Sequence, residues 1–446
     1  MKWSRYNILF ISSKGEYLLY NALSNSFVEV DKEMYYLLQK YSYKQEIFED
    51  DLPPNFDFSY AELKKMKVFV VDDNHELLNL KFLRRRMRFE NRHLVLTINP
   101  TLDCNFKCDY CFEEEKERGC MSVETCDKLI EFIRRFHDLK KIDVTWFGGE
   151  PLLYPKVIDV LSAKIKDLDI DYEADIITNG YLLTIPVIEK LSEWKVKFVQ
   201  ITIDGLPEVH NQRRVLKSGE GTFDKIIANI DNLLAMTDIY VSIRVNIDKR
   251  NEDGFVDIFR YLRNRFQLAV ADNRLGIYPG FVESVPICMS AVDCVFSREK
   301  KKDFLLDKYD NDGLLLMPFY PSMIDMECAV RNINSFVIGP CGEVYKCWND
   351  VGQKDRIVAD IVQGKVVNED LLLDYLAGQD PLDSEKCQEC FLFPVCTGGC
   401  PYVRLKAAED PSLLEDCCIL QKGDLQLFLE KHYEFKKRME AQDEKA

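Results

Sequence analysis

The sequence predicts an α/β protein: a parallel sheet curled into a full or partial (β/α)6 barrel, with a small winged-helix-like domain before it and a cysteine-rich segment after it. Three observations carry this. Strand-like and helix-like runs alternate six times between about residues 93 and 281, and β/α units in succession make parallel sheets. Three short strand-like runs followed by helical stretches precede them. Nine of the sixteen cysteines fall within residues 325–420, where regular periodicity is weak.

The expected domains are 1–90, 91–310, 311–422 and a C-terminal helix over 423–446. In the first, strand-like runs at 7–12, 16–20 and 26–30 are separated by turn residues at Gly15 and 21–25. Helices are expected at about 32–40 and 60–66, and the basic run 81–92 reads as a solvated helix face or a domain contact. In the second, strands are expected at 93–99, 142–147, 174–178, 198–203, 240–246 and 275–279. Amphipathic helices lie between them, for example 122–136, with Val123, Cys126, Ile130 and Ile133 at helical spacing, and 223–234. Barrels of this kind place their active sites at the carboxyl ends of the strands. The last helix reads as solvated and charged.

The chain has 446 residues, a formal net charge of −16, 47% hydrophobic and 30% charged residues. That is a globular composition, and its length allows about two to four domains. Collagen-like and largely disordered chains are excluded. No apolar run approaches the roughly 18 residues of a membrane span, and the first ten residues lack the apolar core of a signal peptide. A cytoplasmic protein that binds neither membrane nor nucleic acid is expected, since an acidic surface repels phosphates. In a reducing compartment, sixteen cysteines do not form a disulfide framework. With only five histidines, none near a cysteine cluster, any metal is held by sulfur.

Immediately after the first barrel strand comes Cys104-x3-Cys108-x2-Cys111. Three thiolates this close can ligate three irons of a [4Fe–4S] cube and leave the fourth iron open to a substrate or cofactor. This loop resembles that of the radical SAM family, including the aromatic residue before the third cysteine, here Tyr110. The resemblance implies a partial (β/α)6 barrel and an open iron that chelates S-adenosylmethionine. One electron from the cluster then yields a 5′-deoxyadenosyl radical, and the cofactors supply the hard chemistry. Trp146-Phe147-Gly148-Gly149-Glu150-Pro151 looks like the family's GGEP motif; glycines would let polar groups approach the cofactor's ammonium. Thr178-Asn179 and Thr202-Ile203-Asp204 end the next strands, where the family contacts the cofactor's sugar and carboxylate. His210-x3-Arg214 is similar to a further family element, and Arg214 and Arg244 are candidates to pair with the carboxylate.

In the tail, Cys328, Cys341, Cys347, Cys387, Cys390, Cys396, Cys400, Cys417 and Cys418 exceed what one four-ligand site needs, so two sites are the minimal reading. The pattern looks like the SPASM extension of peptide-modifying radical SAM enzymes. That resemblance implies two auxiliary [4Fe–4S] clusters, three in all. Cys328, Cys347 and Cys400 would hold the first, with Cys341 a candidate fourth ligand; Cys387, Cys390, Cys396 and Cys418 would hold the second. Cys417 competes with Cys418, and four thiolates also suit zinc. Cys120, Cys126, Cys288 and Cys294 fit no spacing and read as core or surface thiols.

The resemblance implies a maturase that forms a thioether or carbon–carbon crosslink in a ribosomally made precursor peptide. The N-terminal domain would bind the leader by strand addition, and a donor such as flavodoxin or ferredoxin would supply electrons. A sulfatase-maturing enzyme is the first alternative. Such enzymes lack the first 90 residues and place a carboxylate directly after the cysteine matching Cys347, where this chain has Trp348. The alternative from another class is a non-enzymatic iron–sulfur or zinc-binding protein.

Overall fold

The structure, a computed structural model, describes residues 1–44, 46–48, 57–111, 119–283, 294–414, 417–418 and 422–443. Cys288 and residues 444–446 lie outside the described residues. The chain packs as two units: Met1–Phe89 with Pro318–Asn332 and Ala377–Ala446, and Glu90–Met317 with Ile333–Leu376.

The first unit opens with β1 (Asn7–Ile11), β2 (Tyr17–Asn21) and β3 (Ser26–Val30), an antiparallel sheet in that order. Helix α1 (Lys32–Ser42) starts where the Asp31 carboxylate accepts from the Met34 amide at 2.7 Å. Helices α2 (Asp57–Lys65) and α3 (Asp73–Arg88) follow, with a short strand, Phe69–Val70, paired to Lys2–Trp3. On one side of the sheet Leu19, Leu38, Tyr41, Leu63, Val68 and Phe69 form a core. On the other, Tyr6, Leu18, Tyr20 and Leu80 pack with Leu382, Phe393, Leu425 and Leu429.

One expectation is corrected here. The C-terminal helix, Lys422–Asp443, is not a solvated appendage, because Leu425, Phe428 and Leu429 are buried and Phe428 stacks on Phe319 at 5.4 Å. Of the two readings of the basic run, Arg85 and Arg86 fit a solvated face, whereas two other arginines turn inward to contacts within this unit. Arg84 and Arg88 are only 3% and 4% exposed. Both bond Glu327, and Arg88 adds a fork to Asp380 at 2.5 and 3.1 Å. Buried guanidiniums require such partners.

The second unit holds β4 (His93–Ile98), β5 (Lys141–Trp146), β6 (Asp171–Thr178), β7 (Val196–Thr202), β8 (Tyr240–Ile247) and β9 (Leu275–Phe281). All six are parallel, and their order in space is their order in the chain. Ser335–Ile338 joins β4 in parallel, and three antiparallel strands extend that side, so among the described residues the ten-stranded sheet does not close.

Along β4, β5 and β6 buried residues alternate with half-buried ones, apart from exposed Asp171 at the start of β6. A parallel sheet covered on both faces reads instead as continuous apolar runs. One face therefore packs under helices, with Leu94, Leu96, Ile142, Val144, Ala174 and Ile176 buried. The other carries Thr97, Thr145 and Asp175. Burial first, then Asp143 and Glu173, push the Asp175 carboxyl up to about 6. Helix α4 (Val123–Ile133) begins at a Ser122 cap and buries Cys126, Leu129, Ile130 and Ile133. Val123, expected on that face, is 65% exposed because it sits at the first helical position and points to solvent.

Replacing Arg88 by Met strands the Asp380 carboxylate in the interior and leaves Glu327 to Arg84 alone. It should cost about 3–5 kcal/mol in denaturant unfolding, the usual result of halving a buried pair. Burial raises the Asp380 pKa, but Arg88 outweighs it and holds the carboxyl below its ordinary value. The pair's contribution is thus present above the unfolded-state pKa near 4 and is lost as pH falls through the depressed one. A loss below about 1 kcal/mol would contradict this account.

Candidate active site

The cysteine loop leaves β4 and is fastened before it reaches Cys104. Thr101 Oγ1 donates to the Gly119 carbonyl at 2.6 Å and accepts from the Asp103 amide at 2.9 Å. The end of β5 then runs against the loop's main chain: the Gly149 amide donates to Thr101 O at 3.2 Å and the Glu150 amide to Asp103 O at 2.8 Å. A Cβ on Gly148 would lie 2.3 Å from Thr101 O, and one on Gly149 2.3 Å from Asp103 O. Gly148 also has φ +117°. The glycine pair is thus required by close approach of the loop's own backbone, where the sequence suggested approach of a cofactor.

Farther along, Phe106–Cys108 pairs antiparallel with Arg214–Leu216, which sets Cys108 opposite Arg214. Arg214 follows the helix Pro207–Arg213. Within that helix His210 Nδ1 accepts from the Asp204 amide at 3.3 Å, while Nε2 meets Thr222 Oγ1 at 3.0 Å. Thr222 Oγ1 donates to the Arg214 carbonyl at 2.6 Å, so the Nε2–H tautomer satisfies every partner. Burial, then Arg214 and Arg213, lower His210 to about 3. The His-x3-Arg element is therefore a neutral strut that fixes the backbone of its arginine.

The thiols of Cys104, Cys108 and Cys111 lie within electrostatic reach of one another. Burial, then Glu150, push Cys104 up to about 11; burial pushes Cys108 up to about 12, with Arg214 opposing. Cluster ligation requires these thiols to give up their protons. Among the described residues no three His, Cys, Asp or Glu side chains gather at single-ion distances.

The strand ends meet at this loop. Glu150 is buried, and its carboxylate accepts from Thr178 Oγ1 at 2.7 Å, from the Leu152 amide at 3.0 Å and from the Asn179 amide at 2.8 Å. Glu150 and Thr178 thus brace β5 to β6. Asn179 Nδ2 donates to Asn105 Oδ1 at 2.8 Å. Thr202 is buried at the end of β7. Asp204 accepts from Arg213 Nε at 3.2 Å, and Arg213 also reaches Asp248 at 3.0 Å. Arg214 donates to Tyr110 Oη at 2.5 Å; Asn246 Nδ2 donates to the same oxygen at 3.1 Å, while Asn246 Oδ1 accepts from Arg244 Nε at 2.8 Å.

Sequence reasoning missed Arg213, Asp248 and Asn246. Asn246 was accessible through the period-two relation to Arg244 on β8. Among the described residues, Asn99 Oδ1, Asn105 Nδ2, Asp204 Oδ1 and Arg214 Nε are buried without a hydrogen-bond partner. Buried polar atoms rarely stay so. Two vacant acceptors and two vacant donors beside three thiols suit a cluster together with a ligand that carries both amino and carboxylate groups.

In the extension, Cys387, Cys390, Cys396, Cys417 and Cys418 line one cavity of about 450 Å³, with Asp380, Phe393 and Arg404. Burial raises the Cys390 thiol, and Cys387 and Cys418 lie near enough to add to the rise. Cys417 is buried and bonds the Leu413 carbonyl at 3.7 Å. Cys328 and Cys400 belong to the first unit, Cys341 and Cys347 to the second. Trp348 packs against Phe147 with the rings tilted, centroids 5.6 Å apart. Asp350 is buried and accepts from Arg356 at 2.9 Å and Tyr375 at 2.6 Å.

Residues 98–262 match the Radical SAM superfamily, so this part of the chain is a radical SAM domain. Its relatives are enzymes, and so is this chain. The domain implies a [4Fe–4S] cluster and S-adenosylmethionine. The chain is similar to a tungsten-containing aldehyde ferredoxin oxidoreductase cofactor-modifying protein of Pyrococcus furiosus, 26% identical over 58% of this chain and 71% of the relative. It is also similar to a cysteine-type anaerobic sulfatase-maturating enzyme of Clostridium novyi, 23% identical over 69% and 88%. Among solved structures, anSMEcpe with bound AdoMet matches 76% of this chain and 98% of its own, at TM-score 0.51 and 18% identity. SuiB of Streptococcus suis, bound to precursor peptide SuiA, matches 91% and 96% at TM-score 0.51 and 14% identity. At these identities the structural matches speak to fold. No helix among the described residues is long and apolar enough to cross a membrane.

Gly149→Ala puts a methyl group into the Asp103 carbonyl and should displace the cysteine loop. Anaerobically reconstituted variant should lose most of about four Fe per chain, while its circular dichroism stays near wild type. Full iron loading would show that the close approach is dispensable.

Proposed function

We propose that this radical SAM enzyme modifies a ribosomally made precursor peptide, recognising an extended leader with its N-terminal domain and forming a thioether or carbon–carbon crosslink. The carrying observation is the three-stranded antiparallel sheet ahead of the barrel, in which β1 and β3 are both edge strands. Edges offer unpaired main-chain groups to an added strand. The fold likeness to SuiB, solved with its precursor peptide, covers 91% of this chain against 76% for anSMEcpe, which supports the reading. An added strand loses conformational entropy as it gains hydrogen bonds, so micromolar affinity, about −8 kcal/mol, is expected.

Cys104, Cys108 and Cys111 would hold the cluster, and Arg214, Asp204, Asn99 and Asn105 would take up the polar groups of S-adenosylmethionine. When bound, the two supply a 5′-deoxyadenosyl radical able to abstract hydrogen from an unactivated carbon. The protein's part is to order the loop through Gly148 and Gly149, to keep His210 neutral behind Arg214, and to present the substrate along the polar face of β4–β9. Cys387, Cys390, Cys396 and Cys418 would hold one auxiliary cluster, and Cys328, Cys347 and Cys400, with Cys341 as the candidate fourth ligand, the other. A flavodoxin- or ferredoxin-like protein would donate electrons.

Sulfatase maturation is the second reading, favoured by curated relatives named for it in Clostridium novyi and Bacteroides thetaiotaomicron. Against it, Trp348 follows Cys347, and the nearby Asp350 is already engaged by Arg356 and Tyr375.

Reconstituted full-length enzyme should carry about twelve Fe per chain, four per cubane. Supplied with reductant and S-adenosylmethionine, it should convert leader-bearing peptides to products two hydrogens lighter, and leaderless ones far less well. Hydrogen exchange should show protection of β1 or β3 amides by the leader. Leader-independent conversion of a Cys or Ser peptide to a hydrazide-reactive aldehyde would establish the sulfatase-type reading instead.

A further inference from the structure

We propose that Arg404, assisted by Arg84, sets the reduction potential of the cluster held by Cys387, Cys390, Cys396 and Cys418; the inference rests on the two-auxiliary-cluster reading above. Arg404 lies in the helix Pro401–Glu409 and is 7% exposed. Its Nη2 donates to Cys387 Sγ at 3.2 Å, Nε to Gly398 O at 2.5 Å and Nη1 to Gln379 O at 3.4 Å. The guanidinium is therefore locked by two carbonyls with its remaining arm on a ligand sulfur. Arg84 approaches from α3: Nη1 donates to Cys396 O at 3.3 Å and Nη2 to Thr397 O at 3.2 Å.

The charge around this pocket is unbalanced. Arg331 is buried and donates to the carbonyls of Gly378 at 2.8 Å and Gln379 at 3.2 Å. Together with Arg84, Arg88 and Arg404 it makes four buried guanidiniums, faced by the two buried carboxylates Glu327 and Asp380. Buried cations in excess favour an anionic occupant. Four thiolates around an oxidised [4Fe–4S] core carry a net charge of about −2, and one-electron reduction makes it more negative. Nearby positive charge and a charged N–H donor on a ligand sulfur both stabilise the reduced state, and so raise the potential. Arg404 is a positioning residue in this role, since it acts through Cys387.

The test uses the full-length chain, anaerobically reconstituted, with Cys104, Cys108, Cys111 and Cys347 replaced by Ala so that this pocket is the one proposed cluster site left intact. Iron per chain and an EPR-monitored potentiometric titration are the readouts. Arg404→Met should keep its iron but lower the ratio of reduced to oxidised cluster at a fixed potential about tenfold, a shift of about 59 mV for one electron. Arg404→Lys, which keeps the charge, should shift less than half as far, and Arg84→Met should shift in the same direction. A loaded Arg404→Met cluster with unmoved potential overturns the proposal. Loss of iron from both Arg404 variants overturns it too, since the residue would then be a brace. A parent chain that binds no iron here overturns the auxiliary-cluster reading itself.

Discussion

The site depends on main-chain contact between two segments far apart in sequence. Residues 101–103 and the Gly148–Gly149 strand end lie so close that any side chain on either glycine would collide with a carbonyl oxygen. The amide bonds from Gly149 and Glu150 lock that approach. Glu150 then passes the constraint to β6 through Thr178 and the Asn179 amide. Asn179 returns it to the cysteine loop through Asn105. The loop that carries three cysteines is thereby fixed to the ends of two neighbouring strands.

A second constraint comes from the opposite side of the loop. Pairing of Phe106–Cys108 with Arg214–Leu216 brings a buried guanidinium beside Cys108. Neutral His210, clamped between Asp204 and Thr222, holds the backbone that presents it. The polar inner face of the sheet makes the same point on a larger scale. In β4, β5 and β6 the second face is half-buried and mainly polar, rather than packed with aliphatic residues, and so has a surface to offer a substrate.

Much of this was legible in the sequence. The six strand-like runs expected between residues 93 and 281 lie within a few residues of β4–β9. The C-x3-C-x2-C loop and the strand-end motifs were legible because turns and strand ends confine them to a few residue types. What escaped notice was long-range. Nothing local to residues 81–92 reveals that Arg84 and Arg88 meet Glu327 and Asp380, more than two hundred residues away. Nothing local to the last helix reveals that Leu425 and Leu429 complete a core with Tyr6 and Leu18. The glycine pair was found, but its reason lay in a partner backbone that spacing alone does not identify.

The central claim is that Cys104, Cys108 and Cys111 hold a cube whose fourth iron is left open for the amino and carboxylate groups of S-adenosylmethionine. Electron–nuclear double resonance on the reduced full-length enzyme, with S-adenosylmethionine labelled at its amino nitrogen and carboxylate oxygens, tests it most directly. Hyperfine coupling from both labels, absent when the three cysteines are replaced by Ala, is the predicted result. A cluster signal that forms normally but shows no coupling to either label would contradict the account.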